Sequence, residues 1–65
     1  MVELTRLNDT KIYVNPFLIE TIEETPDTVV TFNSGRRIVI KEKIIDVRSM
    51  FIDFLSQSIK LALEK

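Results

Sequence analysis

Along the first two-thirds of the chain, apolar and polar positions alternate with period two. Val2 and Leu4 alternate with Glu3 and Thr5, and after a turn at Asn8-Asp9, Ile12 and Val14 alternate with Lys11 and Tyr13. This pattern predicts a β-hairpin. Asn15-Pro16 ends it, because Pro has no amide hydrogen for a ladder and biases the residue before it away from helix. A third strand is predicted over about residues 18–24, closed by Thr25-Pro26-Asp27, whose Pro and Asp favour a tight turn. The fourth covers 28–32 and the fifth 36–41. Between them Asn33-Ser34-Gly35 fits a three-residue loop with Gly in the left-handed conformation. That loop sets the register: Val30 falls opposite Ile38, Phe32 opposite Arg36 and, across residues 25–27, Ile22 opposite Val30. The row Ile22, Val30, Ile38 shares one face. The other face carries Val29 beside Val39, with Ile19 and Tyr13 assigned there too. A sheet apolar on one side and partly apolar on the other predicts a strong curl, a small barrel or a second covered surface.

From about residue 42 the period becomes helical, and no Gly or Pro follows Gly35. The expected architecture is therefore α+β: a small antiparallel β-meander of about five strands over residues 1–41, curled or barrel-like, packed on one C-terminal α-helix over 42–64, all in a single domain 1–65. At about 100° per residue, the apolar residues from Ile44 to Leu63 fall within an arc of about 220°, whereas a surface helix lying on one sheet needs little more than about 100°. Val47, Met50, Phe54 and Leu61 form one edge of that arc. Ile45, Ile52, Ile59 and Leu63 form the other, with Ile44, Phe51, Leu55 and Ala62 between. One edge lacks obvious cover within the chain, which makes Ile45, Ile52, Ile59 and Leu63 the predicted contact residues for an oligomer or another partner. The alternative is a meander curled tightly enough to wrap both edges.

Composition sharpens this picture. A chain of 65 residues buries only about 60% of the surface that its unfolded form exposes, so its own core is marginal. Disulfides and His- or Cys-based metal sites are excluded by the absence of Cys and His, which leaves self-association as the usual supplement at this size. Apolar residues make up 45% and charged residues 29%, the balance of a folded chain rather than a disordered one. Unbroken apolar runs reach only three residues, as at 50–52, against the 18 or so that a membrane span requires. No basic-then-apolar leader opens the chain. The expectation is a protein neither exported by a cleaved signal nor membrane-spanning, and the absence of Cys agrees with the cytoplasm.

The same counts remove most chemistry. Without His or Cys there is no Ser-His or Cys-His nucleophile and no zinc set, and one Gly cannot build a glycine-rich phosphate loop. Glu20, Glu23, Glu24 and Asp27 cluster in sequence, but ladder geometry separates neighbours onto opposite faces, and their spacing matches no calcium loop. They read as a solvated strand edge. No enzyme activity and no cofactor is expected. The net charge of −1 gives no overall basic excess for nonspecific nucleic-acid binding. The local basic run Arg36, Arg37, Lys41 and Lys43 is the alternative, a nucleic-acid patch on the fifth strand, with Tyr13 as its one stacking aromatic. Asp46, Asp53 and Glu64 against Lys60 make the polar helix face net negative, which disfavours an anionic membrane surface.

The segments Val2-Glu3-Leu4-Thr5-Arg6-Leu7-Asn8, Asn15-Pro16, Leu18-Ile19-Glu20, Ile22-Glu23-Glu24-Thr25-Pro26-Asp27-Thr28-Val29-Val30-Thr31 and Gly35-Arg36-Arg37-Ile38-Val39-Ile40-Lys41-Glu42 together resemble the small flagellar motility family FlbD, also called SwrD. The likeness covers the strand region nearly end to end and becomes general amphipathic character in the helix. It implies a non-enzymatic accessory of bacterial flagellar motility and swarming that supports motor power through protein-protein contacts. It also implies a flagellar motor component as partner and a cytoplasmic place peripheral to the inner membrane at the motor. Three positions depart from the family pattern. Asp9 stands where Gly is usual, which makes a type I′ turn costlier; Phe17 replaces a common acidic residue and adds apolar surface; Lys43 replaces a small hydroxyl residue and removes a good helix N-cap.

Overall fold

The computed structural model describes the backbone of residues 1–63 and the side chains of residues 1–57. The strands are β1 (Val2–Thr5), β2 (Lys11–Val14), β3 (Ile19–Glu24), β4 (Thr28–Phe32) and β5 (Arg37–Ile40), followed by the helix α1 (Ile44–Leu63). All strand pairings are antiparallel, so the α+β class and the strand count expected from the periodicity are observed.

Two hairpin loops share one geometry. In the β4–β5 loop the Gly35 N–H donates to Phe32 O (2.8 Å) and the Phe32 N–H to Arg36 O (2.8 Å). In the β1–β2 loop the Asp9 N–H donates to Arg6 O (2.9 Å) and the Arg6 N–H to Thr10 O (2.9 Å). Each is a three-residue loop whose last residue is left-handed, Gly35 at φ +90° and Asp9 at φ +70°. The first hairpin is therefore not closed by a type I′ turn, which would need positive φ at two successive residues. Asn8 stabilises the loop through its side chain, accepting from the Thr10 N–H (3.2 Å) and the Thr10 hydroxyl (2.6 Å). Asp9 carries the backbone strain and forms an ion pair with Lys41.

The registers follow from these loops. Val30 lies opposite Ile38 and Ile22 opposite Val30, the row expected from sequence, with Val30 and Ile38 buried. Ile19 departs from expectation. A bulge between Ile19 and Thr21 shifts its side chain from the outer face onto the core cluster, where it packs with Phe32.

The strands do not form one continuous meander. They divide into a two-stranded sheet β1–β2 and a three-stranded sheet β3–β4–β5, and the sheets do not close into a barrel. The cause is local to Asn15-Pro16. Asn15 Oδ1 accepts from the Phe17 N–H (3.0 Å) and caps a short 3-10 helix, Pro16–Leu18, that turns the chain away before β3 can pair with β2. This helix takes Leu18 out of the expected third strand. On the other side the sheets do meet, through an Arg6–Ile40 bridge and the Lys41 N–H donating to Thr5 O (2.8 Å).

Between the sheets lies the core: Val2, Leu4, Val14, Val30, Ile38, Ile40 and Val47. Leu4, Val30, Ile40 and Val47 are fully buried, and burial on this scale contributes about 2 kcal/mol per side chain. Six of the seven come from strands and one from α1, so the helix acts as a lid on a core that the sheets build. At about 1.5 Å per residue α1 is about 30 Å long, while the longest strand, β3, reaches about 20 Å. The helix outruns the surface that could cover it.

Candidate functional site

The apolar arc of α1 divides into two parts. Val47 is buried, and Met50, Phe51 and Phe54 are half-buried against the core cluster; on the helical wheel these four span about 100°. Ile44 (39% exposed), Ile45 (66%), Ile52 (49%) and Leu55 (41%) occupy the adjacent arc of about 100° and face outward. The helix touches β1 and β3, a support one stripe wide. The sheets therefore do not wrap both edges among the described residues. Ile45 and Ile52 of the predicted contact set lie together on the exposed arc, while the side chains of Ile59 and Leu63 lie outside the described residues. Phe17 stacks edge-on to Phe54, with ring centroids 5.8 Å apart at 63°. It extends the cover on the Phe54 side while remaining 63% exposed itself.

The orientation of this helix is fixed at its start by a polar cluster that sequence reasoning missed. Lys43 offers no capping oxygen, and the first free amide of α1 is satisfied from elsewhere: the Ile44 N–H donates to Glu24 Oε1 at 2.7 Å. A carboxylate at a helix N-terminus satisfies an orphan donor and opposes the positive end of the dipole. Buried Thr28 donates its hydroxyl to Glu42 O (2.6 Å), and the Thr5 N–H donates to Glu42 Oε1 (2.9 Å). The start of α1 is thus tied to β1, β3 and β4 at once. For Glu42, burial pushes the carboxyl up, but the Thr5 hydrogen bonds and the charge of Lys11 outweigh it and hold the group below its ordinary 4.5. Glu24, read from sequence as part of a solvated strand edge, is exposed yet structural.

The basic residues are placed differently. Arg36 follows the β4–β5 loop, paired across it with Phe32, and Arg37 lies opposite Thr31 at the start of β5, while Lys41 lies beyond the far end of that strand, about 13 Å along it from Arg37. Lys41 is paired with Asp9. Lys43 immediately precedes α1 and lines a cleft together with Lys41 and Glu24. Tyr13, the expected stacking ring, donates its hydroxyl to Glu3 Oε2 (2.9 Å); that bond and the Glu3 charge raise its phenol pKa.

Where the sheets fail to join, a cleft of about 310 Å³ opens between β2 and the β4–β5 loop, lined by Ile12, Tyr13, Val14, Leu18, Phe32 and Arg36 among others. Its lining is mainly apolar and, among the described residues, holds no carboxylate. Among the described residues no group of three or more acidic side chains stands ready for a metal ion, and no helix is long and apolar enough to cross a membrane. A further residue that sequence reasoning passed over is Arg48, exposed and lying within the outward arc between Leu55 and Ile52. At about 100° per residue its position follows from the sequence alone.

Neither the curated proteins nor the solved structures contain a match to this sequence. A family model does match, over residues 1–59, a span that includes every strand, the capping cluster and the described part of the exposed helix edge. The chain belongs to the FlbD family of flagellar and swarming motility proteins.

Proposed function

We propose that this chain is a non-enzymatic accessory of bacterial flagellar motility that supports motor power by protein contact, using the outward edge of α1 around Ile45 and Ile52. It associates with further copies of itself through this edge, with Ile59 and Leu63 continuing the surface, and reaches a flagellar motor component from the cytoplasmic side, peripheral to the inner membrane. The carrying observation is the exposure of Ile45 and Ile52 beside Ile44 and Leu55 on one helix. Each such half-exposed side chain leaves about 1 kcal/mol of hydrophobic gain unrealised in an isolated copy. A mainly apolar edge, interrupted by Arg48, on a helix whose other side is already seated is the form that a protein-binding surface takes.

The rival reading, a small nucleic-acid-binding regulator using Arg36, Arg37, Lys41 and Lys43, has weaker support, because Lys41 is engaged by Asp9 and Tyr13 by Glu3. Binding of single-stranded RNA that weakens steeply with salt and is lost in Arg36→Glu/Arg37→Glu would favour it. The motility reading is tested by deleting the gene in its native host and scoring filament number and swimming torque separately. Normal filaments with reduced torque are expected, and missing filaments would contradict a role in motor power.

A further inference from the structure

The cleft where the sheets fail to join is bordered by an open strand edge. β2 pairs only with β1, and the hairpin decides which of its backbone groups are left over. The bond from the Arg6 N–H to Thr10 O makes these two a hydrogen-bonded pair. Bonded and non-bonded pairs alternate along an antiparallel ladder, so in the register Leu4–Ile12, Glu3–Tyr13 Ile12 and Val14 bond β1, while Lys11 and Tyr13 turn their N–H and C=O groups away from it. Thr5 agrees with this phase, since its carbonyl also points off the hairpin and accepts from the Lys41 N–H. Among the described residues nothing in the chain takes up the outward groups of Lys11 and Tyr13. Such an edge is a template for a further strand.

The cleft specifies what that strand would carry. Its volume of about 310 Å³ stands at the low end of ligand sites, room for side chains rather than for a folded partner. Ile12 and Val14 pack on the core, and with Leu18 and Phe32 they make the cleft apolar. A segment laid on β2 alternates its side chains, so every second one enters this space. The one charged residue in the described lining is Arg36, which is exposed and makes no ion pair among the described residues. A guanidinium beside apolar walls selects a carboxylate, held through two parallel hydrogen bonds. That carboxylate belongs to a side chain rather than to a chain end, because chain ends are captured by free backbone N–H groups, and here those of Asn33, Gly35 and Arg36 are already engaged by Leu18 O, Phe32 O and Ser34 Oγ. Nor does a second copy offer the right segment: β3 is the chain's acidic strand with an open edge, but its apolar residues, Ile19 and Ile22, are packed on the core.

We infer that the open edge of β2 and its cleft take up an extended segment of another protein, with an apolar side chain in the cleft and a neighbouring Asp or Glu on Arg36. This surface is separate from the outward edge of α1, so it stands or falls apart from the function proposed above. Random linear peptides displayed without a free C-terminus and selected on the full-length chain test it. The best of them is then synthesised with both ends blocked and titrated by NMR. Enrichment of an acidic residue close to an apolar one is expected, with shifts at Tyr13, Val14, Leu18, Phe32 and Arg36. Arg36→Glu, an exposed substitution whose fold the same spectra verify, should weaken binding at least about tenfold. Methylating the peptide's backbone nitrogens one at a time should weaken it at alternate positions, the mark of a strand on one edge. Failure to enrich any peptide, enrichment without an acidic residue, shifts confined to α1 or indifference to Arg36→Glu would overturn the inference. Equal tolerance of every methylation would overturn the strand, and shifts at these residues that grow with protein concentration alone would show a second copy in the cleft instead.

Discussion

The Val47 edge and the Ile52 edge of α1 are built from similar residues and meet opposite fates. Val47 is fully buried, and Met50, Phe51 and Phe54 lie against the strand core, while Ile45 and Ile52, two residues or less from core-facing neighbours, stand in water. Hydrophobicity does not separate the edges; geometry does. The two short sheets offer support about one stripe wide, and the carboxylate of Glu24 fixes which stripe faces it by capping the Ile44 N–H. An apolar residue on a helix thus says that something must cover it, and the width of the remaining fold says whether that cover comes from within.

The strongest way to break the comparison is to place the same charge on each edge. Val47→Asp puts an unpaired carboxylate into a fully enclosed site and should cost roughly 3–5 kcal/mol, enough to unfold a domain of this size in a urea titration. Ile52→Asp should cost the isolated copy only about 1 kcal/mol in the same titration, the half-burial that Ile52 gives up, while making the associated form dissociate, which light scattering reads directly. If both substitutions unfolded the chain alike, the two edges would not differ as described.

Smaller effects sharpen the account of what orients the helix. Glu24→Ala removes the cap on Ile44 and should cost about 1 kcal/mol, with Glu24→Gln restoring part of it because the amide oxygen still accepts; chemical denaturation of the two variants provides the measurement. The smallest effect concerns pH. The folded Glu42 carboxyl lies below its ordinary 4.5, so the stabilisation it gives is present above that value and is lost as pH falls through the lower folded value. Melting temperatures recorded from pH 6 down to pH 3 should fall slightly less steeply in Glu42→Gln than in the parent, the difference being small because the side chain is partly solvated.

Much of this fold is legible in the residues. The Asn33-Ser34-Gly35 loop fixes the β4–β5 register, because only one loop length puts Gly35 in the left-handed position it occupies, and the helical arc of Ile44 to Leu63 announces its own excess width. What was not legible depended on contacts between distant segments. The split into two sheets follows from the 3-10 helix that Asn15 caps, a turn of three residues with no periodicity of its own. Ile19 reaches the core by a bulge, which breaks the alternation on which face assignment relies. Glu24 and Glu42 serve the start of α1 from positions 20 and 2 residues away, and neither signals this locally, since an acidic residue at a strand end reads as solvated. Of the candidate site, the exposure of Ile45 and Ile52 follows from the wheel, whereas a charged residue such as Arg48 inside an apolar arc reads as solvated and carries no signal of its own.

The proposed cover of the Ile52 edge of α1 by another copy of the chain is tested most directly by sedimentation equilibrium of the full-length protein at tens of micromolar. A mass of two or more copies, returning to one in Ile52→Asp, is the predicted result; a wild-type protein that remains monomeric across that range would contradict it.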